Sequence, residues 1–244
     1  MRLFGLIGYP LSHSFSKKYF TEKFEREGLT DCSYEIFPIP SIDQFPEILK
    51  NNPEFVGLNV TVPYKQLVVP FLDSVVNIPV EINACNCIKL IDGKLIGYNA
   101  DHIGFEKSFS PLLKPQHKKA LVLGNGGATA AVIFVLKKIG IEYVIVSRVP
   151  VNDTIIHYKE IDENMMKENL IIINTTPLGM YPETDVCPDI PYQYITGGHL
   201  LYDLIYNPAE TLFLKKGKER GAIIKNGEEM LVLQAEESWQ IWNE

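Results

Sequence analysis

Cysteine is scarce in this chain and spaced poorly for anything but packing. The four cysteines, Cys32, Cys85, Cys87 and Cys187, contain no Cys-x-x-Cys pair, which argues against a zinc site or a disulfide framework. Cys85 and Cys87 read instead as small side chains for a core. The five histidines are scattered, with no His-x-x-x-His pair, so a metal-free protein is expected. Basic residues are the minority: 23 Lys and Arg stand against 30 Asp and Glu, a net charge of −7. That balance argues against nucleic acid or an anionic membrane as the main partner, and leaves room for a small anionic substrate that answers to the local field. Apolar runs are short, well below the ~18 residues of a membrane span. The opening Met1-Arg2-Leu3-Phe4-Gly5-Leu6-Ile7-Gly8 enters a strand pattern at once and shows no signal-peptide h-region. A reduced, cytoplasmic protein is expected.

What is present is an ordinary globular composition. The 244 residues are 46% hydrophobic and 22% charged, enough for a sizeable core in one or two domains. The pattern predicts a strand over 2–8, broken at Gly8-Tyr9-Pro10, and a helix over 14–27 that stops at Gly28. A strand follows at Ser33 to Phe37, then a short helix from Ile42 to Lys50 capped by Ser41. Phe55 to Val60 is strand-like, and Pro63 opens a predicted helix through Val69. Asn86–Leu90 and Lys94–Tyr98 flank Asp92-Gly93, a hairpin signal. A helix is predicted from Asp101 to Phe109, closed by Pro111 and Pro115, and this is the candidate domain boundary. Further strands are predicted at Glu142–Ser147, Leu170–Asn174, Leu200–Leu204 and Ala222–Lys225. Helices are predicted around Ala209–Lys218 and over Gly227–Trp239, the latter with Asn226 as a cap. Residues 148–169 are short for a full crossover helix.

One stretch carries a specific signal. Ala120-Leu121-Val122-Leu123-Gly124-Asn125-Gly126-Gly127-Ala128-Thr129-Ala130-Ala131 runs from strand character through a glycine cluster into a helix that extends to Lys138, with Gly140 just beyond it. Such a strand–turn–helix presents backbone N–H groups and a helix N-terminus to a pyrophosphate. Gly124 permits the tight turn and Gly126 a close backbone approach, but Thr129 occupies the third small position of G-x-G-x-x-G, so the turn alone also fits a plain loop. Roughly 20 residues further on, Ser147-Arg148 ends a strand where NAD sites carry an acidic residue and NADP sites an arginine. Arg148 points to NADP, against the reading of an exposed strand-end arginine.

Polar residues gather at other predicted strand ends. Ser12-His13-Ser14-Phe15-Ser16 offers hydroxyls for a carboxylate or polyol, or simply a helix cap. Asn59-Val60-Thr61-Val62-Pro63-Tyr64-Lys65 ends a strand, and Lys65 there is either a proton-exchanging group or a solvated surface lysine. Asn83-Ala84-Cys85-Asn86 and Asn99-Ala100-Asp101 bracket the hairpin, either as turn and cap residues or as hydrogen-bonding groups for substrate hydroxyls, with Asp101 holding a lysine. Asn174-Thr175-Thr176-Pro177-Leu178-Gly179-Met180 has the composition of a loop over a ligand. Met165 and Met166 read as core.

Taken in order, these blocks resemble the shikimate dehydrogenases nearly end to end. The resemblance rests on Gly8-Tyr9-Pro10-Leu11-Ser12-His13-Ser14-Phe15-Ser16, the block from Asn59 through Lys65, Asn86, Asp101, and the Gly124–Ala128 turn. It continues through Asn174–Met180, Asp203-Leu204-Ile205-Tyr206-Asn207-Pro208 and Asn226-Gly227…Met230-Leu231…Gln234-Ala235. Departures fall beside these residues: Tyr9 for the usual Asn, Lys17 for a Pro, Asn99-Ala100-Asp101-His102 for Asn-Thr-Asp-Gly, and Ser147-Arg148-Val149-Pro150 where the family carries Asn-Arg-Thr.

The resemblance implies an N-terminal α/β substrate domain plus a Rossmann-type nucleotide-binding domain with a cleft between them, the first discontinuous (1–101 plus 226–244) and the second over 102–225. It implies an NADP-dependent oxidoreductase acting on a CH–OH group, reversibly reducing 3-dehydroshikimate to shikimate in aromatic amino acid (chorismate) biosynthesis. Lys65 and Asp101 would be catalytic. Ser14 and Ser16 would hold the substrate carboxylate, while Asn59, Thr61, Asn86, Tyr206 and Gln234, with the catalytic pair, complete the substrate set. Gly124, Asn125, Gly126, Gly127, Ala128, Ser147, Arg148, Thr175, Met180, Leu204 and Gly227 would hold NADP(H). No metal, nucleic acid or membrane is expected, and the protein is a monomer or homodimer. Two alternatives stand beside this: a relative accepting quinate or NAD, and a non-catalytic nucleotide-sensing protein that keeps the fold.

Overall fold

Period-2 alternation in the opening residues builds the first sheet. In the computed structural model, which describes residues 1–11, 14–149 and 155–244, β1 (Arg2–Gly8) sends Leu3 and Ile7 into one core and Phe4 and Leu6 into another. Ser12, His13 and Pro150 of the sequence reading lie outside the described residues. Next comes α1 (Phe15–Glu27), where Ser14 caps the N-terminus by accepting from the Lys17 N–H, and Gly28 ends the helix at φ 68°. β2 (Cys32–Pro38), α2 (Phe45–Asn51) and β3 (Phe55–Val60) follow. Pro46, with no N–H, is tolerated only in a first helical turn, so the predicted 42–50 helix becomes a 3₁₀ turn, Ile42–Gln44, and then α2.

The helix predicted over 63–69 does not form. The Lys65 carbonyl, which the Val69 N–H would take in a helix, instead accepts from the Cys85 N–H at 2.7 Å. Tyr64 turns inward and donates to the Ile39 carbonyl at 2.5 Å. Only a 3₁₀ turn, Val69–Phe71, remains. The short β4 (Ser74–Val75) was not foreseen; β5 (Cys87–Ile91) and β6 (Lys94–Tyr98) form the expected hairpin, with Asp92 and Gly93 both at positive φ. The strand order β2-β1-β3-β5-β6-β4 closes this mixed sheet.

After α3 (Asp101–Phe109) the second sheet begins at β7 (Lys119–Leu123), followed by α4 (Gly127–Lys138), β8 (Glu142–Ser147), β9 (Ile155–His157), α5 (Glu163–Glu168) and β10 (Ile171–Asn174). β11 (Leu200–Asp203), α6 (Leu212–Glu219), β12 (Ile223–Lys225) and α7 (Glu228–Asn243) complete the chain. α6 starts at Leu212, later than its predicted start, because Thr211 caps it. Among the described residues of the segment 148–169 are a three-residue strand, a 3₁₀ turn and a six-residue helix. All six strands are parallel, in the order β12-β11-β10-β7-β8-β9. Counted from β7, that is the doubly wound 3-2-1-4-5-6 arrangement, whose direction reverses between β7 and β10. Ala120 and Val122 face one core, Leu121 and Leu123 the other, as both covered faces of a parallel sheet require.

The chain divides into two compact units, Met1–Ile103 with Gln234–Glu244, and Gly104–Leu233. The sequence reading places the return to the first unit at residue 226, before α7; the observed division falls within that helix. Met230 packs on the core of the second unit, whereas Ala235, Ile241 and Trp242 belong to the core of the first. The same demand carries α7 beyond its predicted end at Trp239. In the first unit, Lys23, only 5% exposed, ties α1 to α7 through Glu236 at 2.9 Å.

Candidate active site

In the first unit, register brings the polar blocks to one end of the sheet. Ile7 lies opposite Val60, Asn59 opposite Cys87, and Cys87 opposite Tyr98. The segments leaving these strands therefore start side by side, and backbone hydrogen bonds join them: Thr61 N–H to Ile7, Val60 N–H to Asn86, Asn86 N–H to Tyr98. Lys65 and Asp101, 36 positions apart, meet there with Nζ 2.7 Å from Oδ2. Asp101 opens α3 without capping it. Asn99, which is 2% exposed, accepts from the His102 N–H and donates to the Ala84 carbonyl, leaving the Asp101 carboxylate for the lysine. Neighbouring Cys85 is buried, and burial pushes its thiol up to about 12, so it stays neutral beside the pair.

Asn86 is 3% exposed and accepts from the Ala100 N–H at 2.6 Å through its side-chain oxygen, which turns its NH₂ outward from that bond as a donor. Asn59 behaves otherwise. Its side chain accepts from Tyr34 at 2.8 Å and donates to Asn86 O and Ser238 Oγ, so its groups are committed to the scaffold. Ser238 donates in turn to the carbonyl of Gln234, 8% exposed on α7. Ser14 and Ser16 sit at the start of α1, half-buried. The capping reading of Ser14 is realised, yet its oxygen accepts the cap bond and its proton remains available. Tyr206 lies in the second unit, unlike the other expected substrate residues.

In the second unit, Gly124 takes φ 113°, and a Cβ there would meet Thr175 Oγ1 at 2.7 Å, so only glycine serves. Thr129, the residue that breaks the glycine pattern, is 2% exposed and accepts from the Gly126 N–H at 3.1 Å. Its hydroxyl also lies 2.8 Å from Thr175 Oγ1, which donates to the Leu123 carbonyl. The turn is thus bolted to the loop after β10, across the point where strand order reverses. A concavity of about 210 Å³ there is lined by Gly124, Asn125, Gly126, Ser147, Arg148 and the Thr175–Leu178 loop, together with Tyr158, which sequence reasoning did not single out. Arg148 is exposed, with no carboxylate partner among the described residues. Ser147 Oγ is engaged with the backbone of Val149.

The loops after β10 and β11 are joined below this site. Leu204 N–H bonds to Asn174 O and Gly227 N–H to Ile205 O, while Tyr181 N–H reaches Asn207 O. Gly227 packs so closely on the Leu204 carbonyl that a Cβ would collide with it. Asp203, fully buried, anchors the cluster by accepting from Thr211, Ile205 and Asn174. Burial pushes its carboxyl up to about 6. Met180 is half-exposed and donates its N–H to the Pro177 carbonyl, and Met180, Leu204 and Gly227 do not line the concavity.

The residues fit a dinucleotide. A Cβ at Gly126 or Gly127 would meet no protein atom within 4 Å, so the missing side chains leave open room at the N-terminus of a twelve-residue helix.

Comparison with known proteins agrees with this geometry. The family model of the shikimate dehydrogenase substrate binding domain matches residues 6–88. A shikimate dehydrogenase (NADP(+)) of Clostridium beijerinckii is 39% identical, covering 100% of this chain and 93% of its own. The crystal structure of shikimate dehydrogenase from Aquifex aeolicus superposes with a TM-score of 0.87 at 33% identity, over 100% of this chain and 92% of that one. The Thermus thermophilus enzyme, crystallised with NADP(H) and shikimate, gives a TM-score of 0.86 at 29% identity, over 99% and 93%. With full-length relatives of this kind, the chain belongs to the shikimate dehydrogenase family.

Proposed function

We propose that the chain catalyses the reversible NADPH-dependent reduction of 3-dehydroshikimate to shikimate, a step of aromatic amino acid biosynthesis. The observation that carries this is the Lys65–Asp101 pair at 2.7 Å, set among Thr61, Asn86 and Asn99 at the end of the first sheet. NADPH, when bound, supplies the hydride. Lys65 gives a proton to the C3 oxygen as the ketone becomes an alcohol, and Asp101 holds the ammonium in line. Ser14 and Ser16 donate to the substrate carboxylate at the positive end of α1. Thr61, Asn86 and Gln234 hold the ring hydroxyls, and Asn59 keeps the Asn86 segment in place. Gly124, Asn125, Gly126, Gly127 and Ala128 receive the pyrophosphate, Ser147 and Arg148 the ribose phosphate. Thr175, Met180, Leu204 and Gly227 support the nicotinamide end. The four unpaired cysteines suit a reducing cytoplasm, and the net charge of −7 suits a protein, monomer or homodimer, that binds no nucleic acid.

One observation favours a second reading with relaxed cofactor choice: Val149, beside Arg148, is 71% exposed and offers no hydroxyl. Nicotinamide absorbance measured with shikimate or quinate, each with NADP⁺ or NAD⁺, separates these. Fastest turnover is expected for shikimate with NADP⁺. Equal rates with quinate or NAD⁺ would select the relaxed enzyme. Absence of reduction in all four combinations would end the catalytic reading in favour of a nucleotide sensor.

A further inference from the structure

β8 and β9 run side by side in parallel, with Ser147 opposite His157. Arg148 and Tyr158 are therefore the next residues out at the carboxyl ends of neighbouring strands, roughly 4.8 Å apart, where open α/β sheets take their ligands. Both line the concavity that contains the glycine turn. Their states are opposite. Arg148 is exposed with no carboxylate partner among the described residues. Tyr158 is 8% exposed, its ring lodged in the core with Leu123, Val146 and Met166. Its hydroxyl is buried and has no hydrogen-bond partner among the described residues, an unfavourable state for a polar group. A phenylalanine would fill the same space without that cost. Among the described residues at the end of β8, Ser147 Oγ is engaged with the Val149 backbone.

We propose that Tyr158 is a further cofactor-binding residue, whose hydroxyl donates to the ribose phosphate that Arg148 pairs with. The orphaned hydroxyl finds its partner only in the bound state, and that partner is an anion. The assignment rests on the NADP reading above and extends it to a residue on the adjacent strand. The occupied site would then hold its phosphate from two strands, by a charged group and a neutral donor, which makes discrimination against a bare 2′-hydroxyl sharper than one arginine achieves.

The test is direct binding of NADPH, NADH and adenosine 2′,5′-bisphosphate, by calorimetry, to the wild type and to Tyr158→Phe, Arg148→Ala and the double variant, with urea unfolding of each apo protein. Tyr158→Phe is expected to be at least as stable as the wild type and to bind NADPH and the bisphosphate about tenfold more weakly, with NADH affinity within about twofold. The two substitutions are expected to be non-additive, because they share one phosphate. Wild-type preference for NADPH with an unaltered Tyr158→Phe would overturn this assignment alone. A wild type that shows no preference for NADPH would overturn the cofactor reading and this assignment with it. A Tyr158→Phe that loses NADPH and NADH equally, or loses stability, would make the residue structural.

Discussion

At the scale of single residues, the decisive question is why Lys65 and Asp101 are paired. Their side chains are 31% and 19% exposed, and a half-exposed ion pair contributes only about 0–1 kcal/mol to folding. Stability does not explain the pairing, whereas the proton transfer proposed above gives it a purpose. Lys65→Ala is therefore expected to leave the urea midpoint nearly unchanged and NADPH affinity intact while lowering kcat by ~10²–10⁴. An unchanged kcat at saturating shikimate would remove the lysine from the chemistry. Asp203 shows the reverse balance. Its carboxyl, raised from 3.8 to about 6 by burial, keeps its proton in the folded chain where the unfolded chain has lost it. The stabilisation this provides is complete below pH 3.8 and is lost as pH climbs through about 6, a span worth at most roughly 3 kcal/mol. Relative to Asp203→Asn, wild-type stability is expected to fall between pH 4 and pH 7, read from urea unfolding at each pH; a difference independent of pH would show that the carboxyl is not raised.

At the scale of elements, β3 and α7 fix each other through one glycine. A Cβ at Gly57 would collide with the Trp242 indole, whose Nε1 donates to the Ile88 carbonyl at 3.0 Å. Gly57→Ala must push the indole away or distort the sheet, and is expected to destabilise by about 1–3 kcal/mol, with a red shift of tryptophan emission as Trp242 meets water. An unshifted spectrum with full stability would show that α7 can yield. Elements also mark how far the sequence is legible. α1 and the hairpin were readable because their signals are local: Ser14 and Gly28 bound the helix, and Asp92-Gly93 makes the turn. The 63–69 segment was not, because its carbonyl partner, Cys85, comes from a strand end that the local pattern cannot see. β9 escaped notice for a related reason: three residues hold too little pattern to announce a strand, and only its pairing with β8 defines it.

At the scale of the whole molecule, both tryptophans, Trp239 and Trp242, belong to the first unit, while the proposed cofactor residues belong to the second. α3 and α7 each contribute to both units, so loss of one unit strips the other of part of a helix. Saturating NADPH, at about 100 times its Kd, should add roughly 2.7 kcal/mol to the unit that binds it. The tryptophan transition in urea is expected to move along with the far-UV circular dichroism. A shift in the dichroism alone would mean that the units unfold independently.

The sequence by itself determined the α/β class, the strand–turn–helix at Gly124–Ala128 and the family, because apolar period, turn chemistry and ordered motifs are properties of neighbouring residues. It named Lys65, Asp101, Asn86 and Arg148, yet left each with a bland alternative. Tertiary structure decided what each of them touches. It spent Asn59 on Tyr34, Asn86 and Ser238, gave Thr129 the task of bolting the turn to Thr175, left Lys65 facing Asp101, and set Tyr158 beside Arg148. Those outcomes depend on register between strands far apart in the chain, and register is set by which face of each strand the folded sheet buries.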